Sequence, residues 1–401
     1  MLAAAVRHHQ AGRLGEAERL YREILQADAT HGDALHFLGV LAYQCGRNDV
    51  AVELIARAIA QGGRVPAYHN NLGNALRALG RFEEAVAAYR QALSFGPNHA
   101  EAHYNLGVTL HGMGRLDEAV ACYRRAITYR PEHAEACNNL GNALQQQGKL
   151  EEAVAAYRQA LSLRPGYADA YTNLANVRKA QGELDDAVTL YARALALTPN
   201  HPQALNNLGI VLLEQGKPNE AAACFQKALA LRPDYAEAHS NLGNALQEQG
   251  SPKDAQEAYA QALAVNPNLA EARLGAAIAA IPLFADSVVE SQGAPASFMH
   301  ALRELAAWSR NHLGKLGKSV GGHQPFYLAY RPSDVTRPLI EYGELISSAQ
   351  AGGAETPHSH CRRERPGAAS SRLGRHLAGA YRPPGSATVR DLSVSHRCTD
   401  G

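Results

Sequence analysis

One triplet, Asn-Leu-Gly, returns along this sequence at intervals of 34 residues or a multiple of 34. The triplet, with Asn-Leu-Ala in one case, begins at Asn71, Asn105, Asn139, Asn173, Asn207 and Asn241. A strict period of this length is the signature of stacked structural repeats, in which each unit buries its apolar face against its neighbours. The chain is therefore predicted to form a repeat array rather than a single compact core.

Fixed columns of small and large residues describe the interior of each repeat. With the glycine of the triplet as position 8, seven complete units span residues 32–269. Positions 20 and 27 are always alanine, and position 24 is a large residue such as Tyr89 or Tyr157. Two helices approach closely only where small residues meet, and the large residue fills the space that they leave. Each unit is thus predicted to be a pair of packed helices.

Glycine and proline mark where the two helices of a unit end. Position 15 is glycine in every unit, for example Gly148, which predicts a left-handed cap on the first helix. Position 32 is proline in all units but one, where Gly63 replaces it, and proline stops the second helix. The predicted unit is therefore helix, tight turn, helix, tight turn.

These columns resemble the tetratricopeptide repeat (TPR) pattern, which implies an all-α fold built as a right-handed superhelix. Residues 1–31 are predicted to be a worn first unit, in which Ala5 occupies the glycine position. Residues 270–313 are predicted to hold a capping helix and a connector helix. The capping helix, residues 270–281, is expected to be a ninth first helix that lacks a second one. The connector helix is predicted over residues 296–313, with Trp308 on its apolar face.

Charge and hydropathy exclude two classes of partner. The 39 basic and 38 acidic residues give a net charge of +1, so no global field attracts nucleic acid or an anionic membrane. No run reaches the ~18 apolar residues of a membrane span. The six cysteines form no Cys-x-x-Cys pair, and the four inside the repeats are predicted to pack as small buried residues. The expected location is the reducing cytoplasm, and no metal site is predicted.

The repeated asparagines are the candidate binding residues. First helices are expected to line the concave side of the superhelix, where position 6 would form a ladder of amides. Position 9 adds Asn74, Asn142, Asn176 and Asn244. An amide has two donors and an acceptor, which suit the backbone of an extended peptide whatever its side chains are. The alternative is that these asparagines make structural hydrogen bonds between adjacent units.

The repeats and the segment that follows them also resemble a family of enzymes. The sequence Asn-Asn-Leu-Gly-Asn-Ala-Leu, together with residues 273–282 and 323–330, is similar to the array and connector of bacterial O-GlcNAc transferase and SPINDLY-like glycosyltransferases. This resemblance implies that the array recognises protein substrates. In that family a transferase domain follows the connector, and none is predicted here, so no catalytic residue and no UDP-sugar site are assigned. His323 is considered as a base but lacks an acidic partner.

The end of the chain has a different character. Residues 314–350 are interpreted as the remnant of a short mixed connector to a catalytic domain. Residues 351–401 contain eight arginines and no lysine, with few large apolar residues, which predicts disorder. A second hypothesis is that this tail is an out-of-frame extension. The predicted function is a peptide-binding module without catalysis; the alternatives are a glycosyltransferase completed by the missing domain and a general assembly scaffold.

Overall fold

The computed structural model describes most of the repeat array and part of the segment after it. The described residues are 1–280, 288–310, 312, 341–342, 344–346 and 348. They divide into two compact units, residues 1–251 and residues 252–401, which are treated separately below. The residues of both that take up regular structure are helical, and no strand is present in the described ranges. The predicted all-α fold class is confirmed.

Unit 1 contains fifteen helices, joined by short turns. The first helices of successive repeats are α1 (Leu2–Gln10), α3 (Gly32–Gln44), α5 (Pro66–Ala78), α7 (Ala100–Gly112), α9 (Ala134–Gln146), α11 (Ala168–Ala180), α13 (Pro202–Glu214) and α15 (Ala236–Glu248). The second helices are α2 (Leu14–Ala27), α4 (Asn48–Gly62), α6 (Phe82–Phe95), α8 (Leu116–Tyr129), α10 (Leu150–Leu163), α12 (Leu184–Leu197) and α14 (Pro218–Leu231). From α3 onward, every first helix begins at position 1 of its unit.

The core of each repeat is the contact between position 8 and position 24. A β-carbon added to Gly141 would lie 2.5 Å from Tyr157 Cε1, and one added to Gly107 would lie 2.8 Å from Tyr123 Cε1. Both tyrosines are fully buried, as are the alanines that flank them at positions 20 and 27. The predicted fit between a small residue on the first helix and a large one on the second is therefore confirmed.

The glycine cap predicted at position 15 is present in every unit. These glycines, and Gly12 in the worn first unit, have φ between 71° and 81°. This is the left-handed region, where a side chain costs free energy because its β-carbon approaches the following carbonyl. From α6 to α14 the second helices end two residues before proline, and α4 runs one residue further, to Gly62, where Gly63 stands in place of proline.

Two glycines of the array provide a matched test of this cap. Gly148 has φ 75°, whereas Gly112 ends α7 without a positive φ, and neither has an atom within 4 Å of an added β-carbon. Gly148→Ala is expected to lower the free energy of unfolding by about 1 kcal/mol, because the strain is conformational. Gly112→Ala is expected to raise it by up to about 1 kcal/mol, through helix propensity. Urea unfolding followed by circular dichroism measures both, and equal effects of the two substitutions would contradict the assignment.

The cysteines are only partly as predicted. Cys137 is fully buried, and burial raises the pKa of its thiol to about 11. Cys122 and Cys224 are half-buried. Cys45 is exposed, so the prediction of a buried residue is wrong there, because position 14 lies at the solvent-facing end of α3.

Unit 2 contains α16 (Pro252–Val265), α17 (Ala270–Ala279) and α18 (Val288–Ser309). The helix that packs on α17 is α18, since Leu302 and Leu305 of α18 form a buried cluster with Leu274 and Ile278 of α17. The apolar residues of α17 that the second helix of a repeat would otherwise cover are covered by the longer helix α18. Trp308 of α18 donates a hydrogen bond from Nε1 to Asn268 Oδ1 at 3.4 Å.

The boundaries of α18 also correct the sequence prediction. The helix starts at Val288 rather than at residue 296 and includes Pro295, because a proline removes one backbone hydrogen bond without preventing the others. It ends at Ser309. Most of the predicted connector remnant, with His323, and the whole predicted disordered tail lie outside the described residues.

Candidate functional site

The position-6 asparagines lie on the first helices α5 to α15, as predicted. Asn105 is buried with 6% of its surface exposed, and the others are partly buried. Each of the six donates a hydrogen bond from Nδ2 to a side chain of the preceding repeat. The acceptors are His36 Nε2 for Asn71, Asn70 Oδ1 for Asn105, Tyr104 Oη for Asn139, Asn138 Oδ1 for Asn173, Asn176 Oδ1 for Asn207 and Asn206 Oδ1 for Asn241, at 2.9 to 3.2 Å.

These bonds link adjacent repeats, as expected if the asparagines have a structural role. A buried amide that lacks a partner costs about 1–3 kcal/mol, so each bond contributes to holding one repeat against the next. One Nδ2 hydrogen and the Oδ1 acceptor of a position-6 residue such as Asn105 are not used in that bond. A role for these residues in peptide binding remains a prediction.

The residues at position 5 were missed by the sequence analysis, although they complete the network. Asn70, Asn138 and Asn206 are each about 95% buried. Each donates from Nδ2 to Oδ1 of the position-6 asparagine that follows it, at 3.3 to 3.4 Å. The result is a set of three side-chain relays, which are Asn105 to Asn70 to Asn71 to His36, Asn173 to Asn138 to Asn139 to Tyr104, and Asn241 to Asn206 to Asn207 to Asn176.

A signal for these relays is present in the sequence. The pair Asn-Asn occurs at residues 70–71, 138–139 and 206–207, a spacing of 68 residues, and units with a single asparagine alternate with it. The array thus has a period of two repeats in addition to the period of one. The first two relays end at a position-5 residue, His36 or Tyr104. The third ends at Asn176 instead, because the position-5 residue of that repeat, Thr172, donates to the carbonyl of Ala168 in the same helix.

The position-9 asparagines are held in a different way. The buried tyrosine at position 24 donates its hydroxyl to Oδ1 of Asn74 at 2.8 Å, of Asn142 at 2.7 Å and of Asn176 at 2.5 Å. This contact orients each amide with its Nδ2 pointing away from the tyrosine. Among the described residues, none accepts a hydrogen bond from these three Nδ2 groups. Asn244 has the same register on α15 and is also partly buried.

Burial keeps the hydroxyls of the position-24 tyrosines uncharged. Burial raises the pKa of Tyr89 to about 12, and it also raises the pKa of Tyr123, Tyr157 and Tyr191. Their hydroxyls therefore stay protonated near neutral pH, and those of Tyr89, Tyr157 and Tyr191 act as donors. The side chains of the asparagine and tyrosine network are therefore uncharged at that pH.

His36 is the one histidine that ends a relay. Its ring is 4% exposed, stacks on Tyr68 with centroids 4.3 Å apart, and accepts from Asn71 at Nε2. Burial lowers the pKa of His36 to about 4, against a smaller opposing effect of Asp33. The ring is therefore neutral at physiological pH, with its proton on Nδ1.

No group of three histidine, cysteine, aspartate or glutamate side chains is placed to hold a metal ion in the ranges that the structure covers. None of the described helices combines the length and the hydropathy that a crossing of the bilayer requires.

Profiles of known families decide what kind of array this is. Profiles described as Tetratricopeptide repeat match residues 8–74, 166–234 and 204–268, and one described as TPR repeat matches residues 73–114, 112–148 and 141–182. The matches overlap from residue 8 to residue 268. The chain belongs to the tetratricopeptide repeat family. TPR arrays are protein-interaction modules, and this TPR chain is one of them. No curated protein matches it.

Solved structures similar to this TPR chain match about half of its length or less, and nearly all of their own. The crystal structure of MamA is 30% identical, with a TM-score of 0.39, and the match covers 41% of this chain and 97% of MamA. YrrB, described as a TPR protein with an unusual peptide-binding site, is 23% identical, with a TM-score of 0.41 and coverages of 47% and 96%. The pilF protein of Pseudomonas aeruginosa is 21% identical, with a TM-score of 0.47 and coverages of 52% and 95%.

Proposed function

We propose that the first helices of this TPR array bind extended peptide segments of client proteins in the concave groove. The observation that carries the proposal is the set of oriented, uncommitted Nδ2 donors of Asn74, Asn142 and Asn176. A donor that is held in place loses little conformational freedom when it binds, which favours recognition. Each of these amides would donate to a backbone carbonyl of the peptide.

The position-6 asparagines contribute to the same surface in a second way. Their bonds to the preceding repeat join neighbouring units. The acceptor Oδ1 of a residue such as Asn173 is available for a peptide N–H. A peptide backbone has alternating donors and acceptors, which both kinds of asparagine can satisfy without regard to side chains.

The test is peptide binding by variants at the two positions. The probe is a library of 12-residue peptides with blocked ends, and the measurement is fluorescence anisotropy. Replacing both Asn142 and Asn176 with alanine is expected to weaken binding about 10-fold, since each hydrogen bond contributes about 0.5–1.5 kcal/mol.

A position-5 variant is the matched control for this experiment. Asn138→Ala removes two relay bonds, and so it is expected to lower the free energy of unfolding by about 1–3 kcal/mol while leaving the position-9 donors in place. Unchanged affinity in the Asn142/Asn176 variant, with its circular dichroism intact, would favour the assembly-scaffold alternative or another binding surface.

A finer proposal is that the bound clients are substrates of an O-GlcNAc transferase-like glycosyltransferase. It rests on the resemblance of the repeats and of residues 273–282 and 323–330 to that family. An array that binds the same clients competes with the enzyme for them. Excess chain added to an O-GlcNAc transferase reaction with protein substrates is expected to slow their modification, and the Asn142/Asn176 variant is expected to slow it less. Equal rates with and without the chain would contradict this proposal and leave the scaffold alternative.

A further inference from the structure

One repeat has three apolar residues where another has a hydrogen-bonded polar triad. In the repeat of α9 and α10, the Tyr157 hydroxyl lies 2.7 Å from Asn142 Oδ1 and 2.9 Å from Gln145 Oε1. These residues stand at positions 24, 9 and 12. In the repeat of α13 and α14 the same positions hold Phe225, Ile210 and Leu213. Of the seven complete repeats, this is the one in which none of the three side chains is polar.

The two aliphatic residues of this repeat form an apolar site on α13. Ile210 and Leu213 are three residues apart, so they are neighbours on one side of the helix. Both pack against the buried cluster that contains Phe225, and both are partly exposed. Phe225 is fully buried and fills position 24 without the hydroxyl that Tyr157 presents to positions 9 and 12. The surface of α13 at these positions is therefore made of hydrocarbon groups. Ile210 and Leu213 are called the α13 apolar site below.

The α13 apolar site interrupts the row of position-9 amides proposed to bind the peptide backbone. Position 9 is Asn176 in the preceding repeat and Asn244 in the following one. The charged groups beside the site offset each other, because Lys179 Nζ lies 4.0 Å from Glu214 Oε1. A peptide that follows position 9 along the repeats would therefore pass from an amide to hydrocarbon groups and back to an amide.

We propose that the α13 apolar site binds one large apolar side chain of the peptide, such as leucine, isoleucine, methionine or phenylalanine. The proposal rests on the peptide-binding function above and adds a sequence preference to it. An apolar side chain placed on Ile210 and Leu213 removes hydrocarbon surface from water on both sides of the contact. A polar side chain in the same place would lose water without gaining a hydrogen-bond partner. The asparagines thus bind the backbone of any sequence, and this site selects among sequences.

The test compares peptides that differ in one side chain. Blocked 12-residue peptides with a central leucine, in an otherwise polar sequence, are measured by fluorescence anisotropy against the same peptides with glutamine. Glutamine is similar to leucine in size and, like leucine, carries no charge. The wild-type chain is expected to bind the leucine peptides about 10-fold more tightly, as for the partial burial of one leucine side chain.

Three variants assign the preference to the α13 apolar site. The triple variant Ile210→Asn, Leu213→Gln and Phe225→Tyr reproduces the polar triad of the α9 repeat, so it is expected to fold, as circular dichroism would check, and to lose the leucine preference. Leu213→Gln alone changes one partly exposed residue and is expected to reduce the preference to about 3-fold. Leu231→Gln is the matched control. It changes a 41% exposed leucine at the end of α14 in the same repeat and is expected to keep the preference.

The outcomes separate this proposal from the one on which it rests. Equal binding of leucine and glutamine peptides, weakened in the Asn142/Asn176 variant, would overturn the α13 apolar site and leave the groove. A leucine preference that survives in the triple variant would also overturn it. Self-association of the wild-type chain that the triple variant abolishes, without any leucine preference, would assign these residues to a second copy of the chain instead. Absence of binding for every peptide would overturn the peptide-binding function and this site together.

Discussion

Tyr157→Ala is expected to lower the free energy of unfolding by about 3–5 kcal/mol, the cost of removing a large aromatic side chain from a closed core. Tyr157 is fully buried, and its ring fills the space beside Gly141, where the backbone allows no other side chain to enter. The hydroxyl lies 2.7 Å from Asn142 Oδ1 and 2.9 Å from Gln145 Oε1, and it shares its one proton between these two acceptors. The substitution therefore leaves a cavity and removes this shared donor from the first helix.

The repeat array itself supplies the control for this substitution. Phe225 occupies position 24 of another unit and packs on Gly209 with the same geometry, 2.5 Å from an added β-carbon. Tyr157→Phe is accordingly expected to cost only about 1 kcal/mol, the contribution of the hydroxyl. Hydrogen exchange is the measurement, because in a repeat array stability is a sum over neighbouring units. Loss of protection should be concentrated in α9 and α10; an equal loss in both variants would contradict the cavity argument.

Acidification is expected to destabilise the amino-terminal repeats through His36. Burial lowers the pKa of His36 to about 4 in the folded chain, from 6.5 when it is exposed. The unfolded chain therefore takes up the proton first as the pH falls. The stability that the neutral ring contributes is complete above about pH 6.5 and is lost between about pH 6.5 and pH 4, by about 3 kcal/mol in total.

The hydrogen bonds around His36 explain why the charged form is disfavoured. Asn71 donates to Nε2, so a second ring proton would meet a donor and not an acceptor. Turning the Asn71 amide to present Oδ1 would break its bond from Asn70 and so interrupt the relay. Protonation therefore competes with the contact between two repeats as well as with burial.

His36→Gln separates this effect from that of the other histidines. Burial also lowers the pKa of His103 and of His133, so the wild-type chain titrates at several places. Glutamine keeps an acceptor for Asn71 and does not titrate in this range. The difference in unfolding free energy between pH 7 and pH 5 should be smaller in the variant, with the gain confined to α3 and its neighbours by hydrogen exchange. Identical pH profiles would contradict the role of His36.

The parts of the fold that could be predicted from the sequence are those set by sterics within one repeat. Gly141, Tyr157 and the left-handed Gly148 each have a local requirement that a single unit makes visible. The partners of the asparagines could not be predicted in the same way, because they depend on pairs of residues 35 apart. Asn105 and Asn70 meet only once neighbouring units are stacked. The role of position 5 was missed for that reason, although its polar character is readable.

The segment after the repeats was harder to predict because it lacks the period. Pro295 suggested a break, whereas the backbone remains helical through it. The packing of Leu302 and Leu305 on α17 depends on which apolar residues the array leaves uncovered. Composition predicts that such a helix exists, and only the three-dimensional arrangement supplies its boundaries and its partner.

The three asparagine relays give the face formed by the first helices a direction. Each relay starts in a later repeat and passes its hydrogen bonds to an earlier one, ending at His36, Tyr104 or Asn176. Within each relay the amides are thus linked donor to acceptor in the same order. An extended peptide also has two distinct ends, so its two possible orientations on this face differ in energy. A client segment laid along the repeats would therefore adopt one polarity, and the array would distinguish a sequence from its reverse.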